Sequence, residues 1–142
     1  STKRELRMII TQMKSKPSSG LDEYSSTMVK HCIEELLPPL LHIVNISLSQ
    51  GFFPSKLKTA KVIPLHKKGK MNDMGNYRPI SLISTFAKIV EKVVLVRIFE
   101  HLTANNIDLT GQHGFLQNRS TSTALVDLLE SILDRLEEGE NV

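Results

Sequence analysis

The chain contains no tryptophan, one cysteine and only 5% aromatic residues. A lone Cys32 cannot close an internal disulfide, and His31 beside it lacks the spacing of a zinc-ligand pair, so an inert thiol is expected there and no metal site. Long apolar runs are also missing. The most hydrophobic stretch is broken by Lys88, Glu91, Lys92 and Arg97, well short of the roughly 20 apolar residues that a membrane span needs. The first residues, STKRELRMIITQMK, are charged throughout and carry no small-residue cleavage site after an apolar core. The expected setting is therefore intracellular, nuclear or cytoplasmic, and not secreted. Without secretion, the glycosylation patterns at Asn45-Ile46-Ser47 and Asn118-Arg119-Ser120 are chance matches. Familiar catalytic signatures are absent too: GxGxxG, GxxxxGK[ST] and HExxH do not occur, and the five histidines stand singly. A hydrolase is not indicated.

What remains is a chain of 142 residues, 40% apolar and 23% charged, enough for one folded domain or part of one. Its net charge of +3 conceals a strong asymmetry. Residues 1–55 hold six basic and five acidic side chains, residues 56–97 ten and two, and residues 98–142 two and eight. A solvated face is the ordinary source of such a run, but a basic block followed by an acidic one is also the footprint of a surface that meets phosphates.

Periodicity predicts an α+β chain that is mainly helical. Leu6, Ile9, Ile10 and Met13 mark a short helix over 3–14, ended by Lys16-Pro17-Ser18-Ser19-Gly20. Residues 22–50 read as two helices, with Asp22 or Ser25 as N-cap, divided at Pro38-Pro39 and stopped by Gly51. TAKVIPLH (59–66) reads as a strand whose Pro64 implies an edge or bulge. A polar turn over 67–76 and the alternating YRPISLI (77–83) complete a β-hairpin with a basic tip. Ser84 or Thr85 then caps a largely buried helix to about Ala104, and Ser120 or Thr121 caps an amphipathic one with Leu125, Leu128, Leu129, Ile132, Leu133 and Leu136 on one face. The helices at 36–50, 84–104 and 121–137 are expected to form the core.

Three blocks stand in a telling order: GFFPSKLKTAKVIPLHKKGK, then NYRPISLISTFAKIVEKV, then QHGFLQNRSTSTAL. Together with KSKPSSGLDEYSSTMVKHC upstream, they resemble the opening of the reverse transcriptase domain of non-long-terminal-repeat (LINE-type) retrotransposons, over roughly residues 10–142. Asp22-Glu23 stands where that family more often has Asp-Gly, and Leu116 where it usually has arginine.

The resemblance implies RNA-directed DNA synthesis by a right-hand polymerase. Residues 1–55 would be a helical extension and 56–142 part of the fingers, acting with an RNA template, a DNA primer and deoxynucleoside triphosphates, and with no membrane. It also implies that Lys67, or Lys68, and Arg78 hold the incoming triphosphate, a role that suits two cations on facing strands and the bidentate fork of arginine. The alternative for Arg78 is a simple pair with Asp73 across the turn. Gln112, Gly114, Phe115 and Arg119 become candidates for template contact, against a plain structural turn.

Polymerisation by this family needs magnesium held by strand-borne aspartates. Asp22, Asp73, Asp108, Asp127 and Asp134 all fall in polar loops or on exposed helix faces. The palm strand would follow the Glu137-Glu138-Gly139-Glu140 turn, just where the sequence ends at Val142. The expectation is that this chain binds no cofactor itself, lacks palm and thumb, and is inactive alone, magnesium belonging to the full-length enzyme. A non-catalytic nucleic-acid-binding module or a relic reading frame is the alternative reading.

Overall fold

The computed structural model describes residues 1–107, 109–116 and 118–139; Asp108, Glu140 and Val142, which entered the readings above, lie outside them. Five helices and one hairpin follow in the order α1 (Lys3–Gln12), α2 (Ser26–His31), α3 (Ile33–Gln50), β1 (Ala60–His66), β2 (Tyr77–Ile83), α4 (Thr85–Ala104) and α5 (Thr121–Glu137). Short 3-10 helices sit at Ser55–Lys58 and Met74–Asn76. The mainly helical α+β expectation holds. No helix among the described residues is long and apolar enough to cross a membrane. The chain divides into two units, Ser1–Phe99 and Glu100–Val142.

In the first unit, the core is a cluster of Leu6, Ile9 and Ile10 from α1, Val29 from α2, Leu37, Leu40 and Val44 from α3, and Ile89, Val90 and Val93 from α4. Each set repeats at three or four residues, the spacing that lines one helix face. The break between α2 and α3 falls at Cys32, not at Pro38-Pro39, which lie inside α3. Two prolines deny hydrogen bonds to the carbonyls of Glu34 and Glu35, but all four residues are exposed, on the side of the helix where solvent can replace the lost bonds. The buried stripe Leu37, Leu40, Val44 continues straight past them. Packing on one side thus carries the helix through a local breaker on the other. Gly51 ends it in the left-handed conformation (φ 62°), as expected.

Burial departs from expectation in two helices. In α4, Ile89, Val90 and Val93 are buried, but Leu95 and Ile98 further along are exposed. No residue of α5 is buried, and Leu129 and Leu133 are more than half exposed. An amphipathic pattern records a face that gains from cover; it does not specify what covers it. The short α1 holds core positions instead.

A carboxylate ties α1 to α4. Glu5 accepts hydrogen bonds from the Ser1 hydroxyl (2.9 Å) and the Arg97 guanidinium (2.6 Å), and Thr2 and Glu5 cap each other at the start of α1. Burial pushes the Glu5 carboxyl up, its Oε1 being enclosed without a partner, but the Ser1 and Thr2 hydrogen bonds and the Arg97 charge outweigh it. The net displacement is downward. The unfolded chain therefore takes up this proton first as pH falls. The stabilisation is complete above the ordinary carboxylate range and is lost as pH drops through the lower folded value. Thermal melts from pH 7 downward are expected to show this loss, and Glu5→Gln to flatten it; an unchanged pH profile in the variant would remove Glu5 as its source.

The loop before α2 is docked, not loose. The Ser84 hydroxyl donates to Asp22 Oδ2, the Thr85 hydroxyl donates to the Tyr24 carbonyl (2.7 Å), and the Tyr24 and Phe86 rings meet edge to face at 5.8 Å. The turn closes through Glu23 N–H to the Gly20 carbonyl (3.3 Å), with Glu23 at φ 62°. That is the left-handed region, which costs a side-chain-bearing residue about 1–2 kcal/mol. The departure from Asp-Gly thus keeps the turn and pays in strain. Glu23→Gly is expected to stabilise the chain by about 0.5–1 kcal/mol in denaturant unfolding, the gain being reduced by glycine's larger unfolded-state entropy.

Candidate nucleic-acid interface

In the first unit the hairpin carries the candidate cations. β1 and β2 pair antiparallel, with Ala60 opposite Ile83, Pro64 opposite Pro79, Leu65 opposite Arg78 and His66 opposite Tyr77. The ladder continues one step further, Lys67 N–H donating to the Asn76 carbonyl at 2.8 Å. Hydrogen-bonded and non-hydrogen-bonded pairs alternate in such a ladder, so Leu65–Arg78 is a bonded pair and Pro64–Pro79 a non-bonded one. The two prolines therefore sacrifice no ladder bond. Their missing N–H groups would have pointed outward, so each free edge lacks a donor at its centre and resists a further strand.

The same alternation puts Lys61, Ile63, Leu65 and Lys67 on one face with Arg78, Ile80 and Leu82. Lys67 and Arg78 are diagonal neighbours there, a relation that sets Cα atoms about 7–8 Å apart. Both are exposed, and among the described residues no ion pair engages Arg78. Asp73 is committed elsewhere: it accepts from Gly75 N–H (3.0 Å) and from the Asn76 amide (3.4 Å), holding the short helix at the tip. Lys68 lies one residue further into the loop, outside the paired register.

The loop 67–76 is held from within. The Asn76 amide donates to the Lys70 carbonyl (2.9 Å), the Tyr77 hydroxyl to the Met71 carbonyl (2.8 Å), and His66 Nε2 lies 3.1 Å from the Gly69 carbonyl oxygen. His66 and Tyr77 pack edge to face at 5.3 Å. The sequence shows only a polar turn here; the organising role of Asn76-Tyr77 was missed, although their position just before Arg78 marks them as the residues that must shape the second strand's start.

In the second unit, Gln112, Gly114, Phe115 and Arg119 lie between α4 and α5. The Gln112 amide donates to the Gly114 carbonyl (2.9 Å) and closes a tight turn. Within the chain, a Cβ at Gly114 would meet only that amide, at 3.3 Å. The unusual backbone is next door: Phe115 has φ 62° and is fully exposed, a costly state for an aromatic residue. Arg119 reaches Asp127 at 3.5 Å, while His113 Nε2 sits 3.1 Å from Asp127 and its Nδ1 3.2 Å from the Thr123 hydroxyl. Thr123 also completes the capping box with Ser120. His113, Thr123 and Asp127 thus anchor the loop to the first turns of α5, which single-residue inspection of the histidines does not reveal.

Among the described residues, Asp22 accepts from the Ser84 hydroxyl, Asp73 caps the hairpin tip, Asp127 lies within reach of Arg119 and of the His113 ring, and no three potential metal ligands converge.

No family model matches the chain. It is 31% identical over 137 residues, 96% of its length, to the probable RNA-directed DNA polymerase from transposon BS of Drosophila melanogaster. It is 29% identical over 140 residues (98%) to the RNA-directed DNA polymerase from mobile element jockey, and 26% identical over 137 residues (96%) to the probable polymerase from transposon X-element, both of the same organism. The chain spans 15% of each of these relatives. Its homologues over nearly its whole length are thus non-LTR retrotransposon RNA-directed DNA polymerases, as the three sequence blocks led us to expect.

Proposed function

We propose that the chain is a nucleotide- and template-handling fingers segment of a retrotransposon RNA-directed DNA polymerase. Lys67 and Arg78 hold the triphosphate of an incoming deoxynucleotide, with Lys68 as a nearby cation, and Gln112, Gly114, Phe115 and Arg119 meet the RNA template. The observation that carries this reading is the shared hairpin face of Lys67 and Arg78, exposed and free of Asp73, in a segment homologous to such polymerases. An arginine fork and an ammonium at diagonal positions suit a flexible polyphosphate better than a single carboxylate. Phe115, strained and exposed, is suited to stack on a base, and Arg119 before the α5 N-terminus to meet a phosphate.

Titration of the chain with deoxythymidine triphosphate is expected to give saturable binding that weakens steeply with added salt, because exposed charges at this spacing are screened. Absent or salt-independent binding would overturn the reading.

A further inference from the structure

A second group of cations in the first unit shares no residue with the hairpin. Met13, Lys14, Lys16, Ser18, Ser26 and Lys88 line a cavity of about 240 Å³, where the end of α1, the segment after it, α2 and α4 come together. Ser26, the first residue of α2, is only 7% exposed and fixes the backbone that carries two of the lysines. Its hydroxyl donates to the Lys14 carbonyl (2.9 Å) and accepts from Lys16 N–H (2.9 Å), and the Thr27 hydroxyl donates to the Lys16 carbonyl (3.4 Å). The segment is thus pinned while Lys14, Lys16 and Ser18 stay exposed. Lys88 joins them from the start of α4 and is part-buried.

Among the described residues no carboxylate lines this cavity, and none of the three lysines enters an ion pair. That is an unbalanced arrangement. A part-buried ammonium gives up hydration and ordinarily recovers the loss from a counter-charge, whereas the charged neighbours of Lys88 in the cavity are two more ammoniums. The N-terminal end of α4 adds to the positive field, because the helix dipole favours anions there. Size and lining select the anion. The volume falls below the roughly 300–1,000 Å³ of pockets for drug-sized ligands. The lining offers no aromatic ring on which a base could stack, and Met13 is its one apolar side chain. A compact, multivalent oxyanion suits this set better than a nucleoside does, since its oxygens accept from three ammoniums and the Ser18 hydroxyl together.

We infer that this cavity binds a small inorganic phosphate anion of the size of pyrophosphate, and that the bound anion ties the segment after α1 to α4. The site stands whether or not the hairpin holds a nucleotide. Magnesium-free titration calorimetry with inorganic pyrophosphate separates the two when run on the whole chain carrying Lys67→Ala and Arg78→Ala, which silence the hairpin. Saturable binding is expected to persist in that double variant. Lys88→Gln added to it is expected to weaken binding at least about tenfold, the loss that goes with one charge-assisted hydrogen bond. Exposed Lys14→Gln should act in the same direction, so a folding defect at Lys88 would not hide the result. Lys92→Gln, one turn further along α4 and exposed, removes the same charge outside the cavity and should leave binding unchanged. Absence of saturable binding once the hairpin is silenced would overturn the inference. An equal loss with Lys92→Gln would overturn it too, in favour of diffuse attraction to a basic surface.

Discussion

Gly20→Ala is expected to destabilise the first unit by about 3 kcal/mol or more, read as a fall in the denaturant midpoint. A Cβ on Gly20 would lie 2.6 Å from the Ser84 nitrogen, 2.8 Å from the Ile83 carbonyl carbon and 2.9 Å from the Ser84 Cα. All three are backbone atoms, so no side chain can swing aside. Gly20 is buried, and its φ is not in the left-handed region, so the demand is for space and not for conformational freedom. Relief requires moving the junction of β2 and α4, which breaks the Ser84–Asp22 and Thr85–Tyr24 hydrogen bonds that lock the loop to α4. Gly111→Ala is the control, since a Cβ there meets nothing within 4 Å. Equal midpoints for the two variants would show that the loop is not clamped at this point.

That clamp also shows where the sequence stops being legible. Local signals place what is local: Ser25 caps α2, Ser84 accepts from Phe86 N–H at the start of α4, Ser120 caps α5, Gly51 ends α3, and the alternation of TAKVIPLH and YRPISLI pairs as a hairpin. Non-local docking is invisible to them. Residues 16–20 look like a linker because their composition is that of a loop, yet Gly20 is buried against a junction more than sixty positions away. Pro38-Pro39 look like a boundary because the local cost of proline is known and the gain from burying Leu37, Leu40 and Val44 is not. At the candidate site, residue chemistry and resemblance single out Lys67 and Arg78. Only the register explains how the two cations share a face, and only the side-chain network shows that Asn76 and Tyr77 shape the loop between them.

Arg78→Ala is expected to weaken triphosphate binding by about tenfold, and Arg78→Lys by less. A charge-assisted hydrogen bond is worth about 1.5–3 kcal/mol, and an exposed position places this one at the lower end, close to the 1.4 kcal/mol that corresponds to a factor of ten. Lysine restores the charge but not the planar fork, so the Lys variant isolates the bidentate contribution. Stability should be nearly unaffected, because Arg78 is exposed and Asp73 holds the loop tip through Gly75 and Asn76 without it. Unfolding is then no explanation for lost affinity. The pairing with Lys67 adds a stricter condition. Two cations on one polyphosphate share its charge, so Lys67→Ala should cost less in the Arg78→Ala background than alone, or more if the second cation is needed to fix the ligand's pose. Strict additivity would mean that the two side chains contact the triphosphate independently, whereas an affinity unchanged by Lys67→Ala in both backgrounds would remove Lys67 from the site.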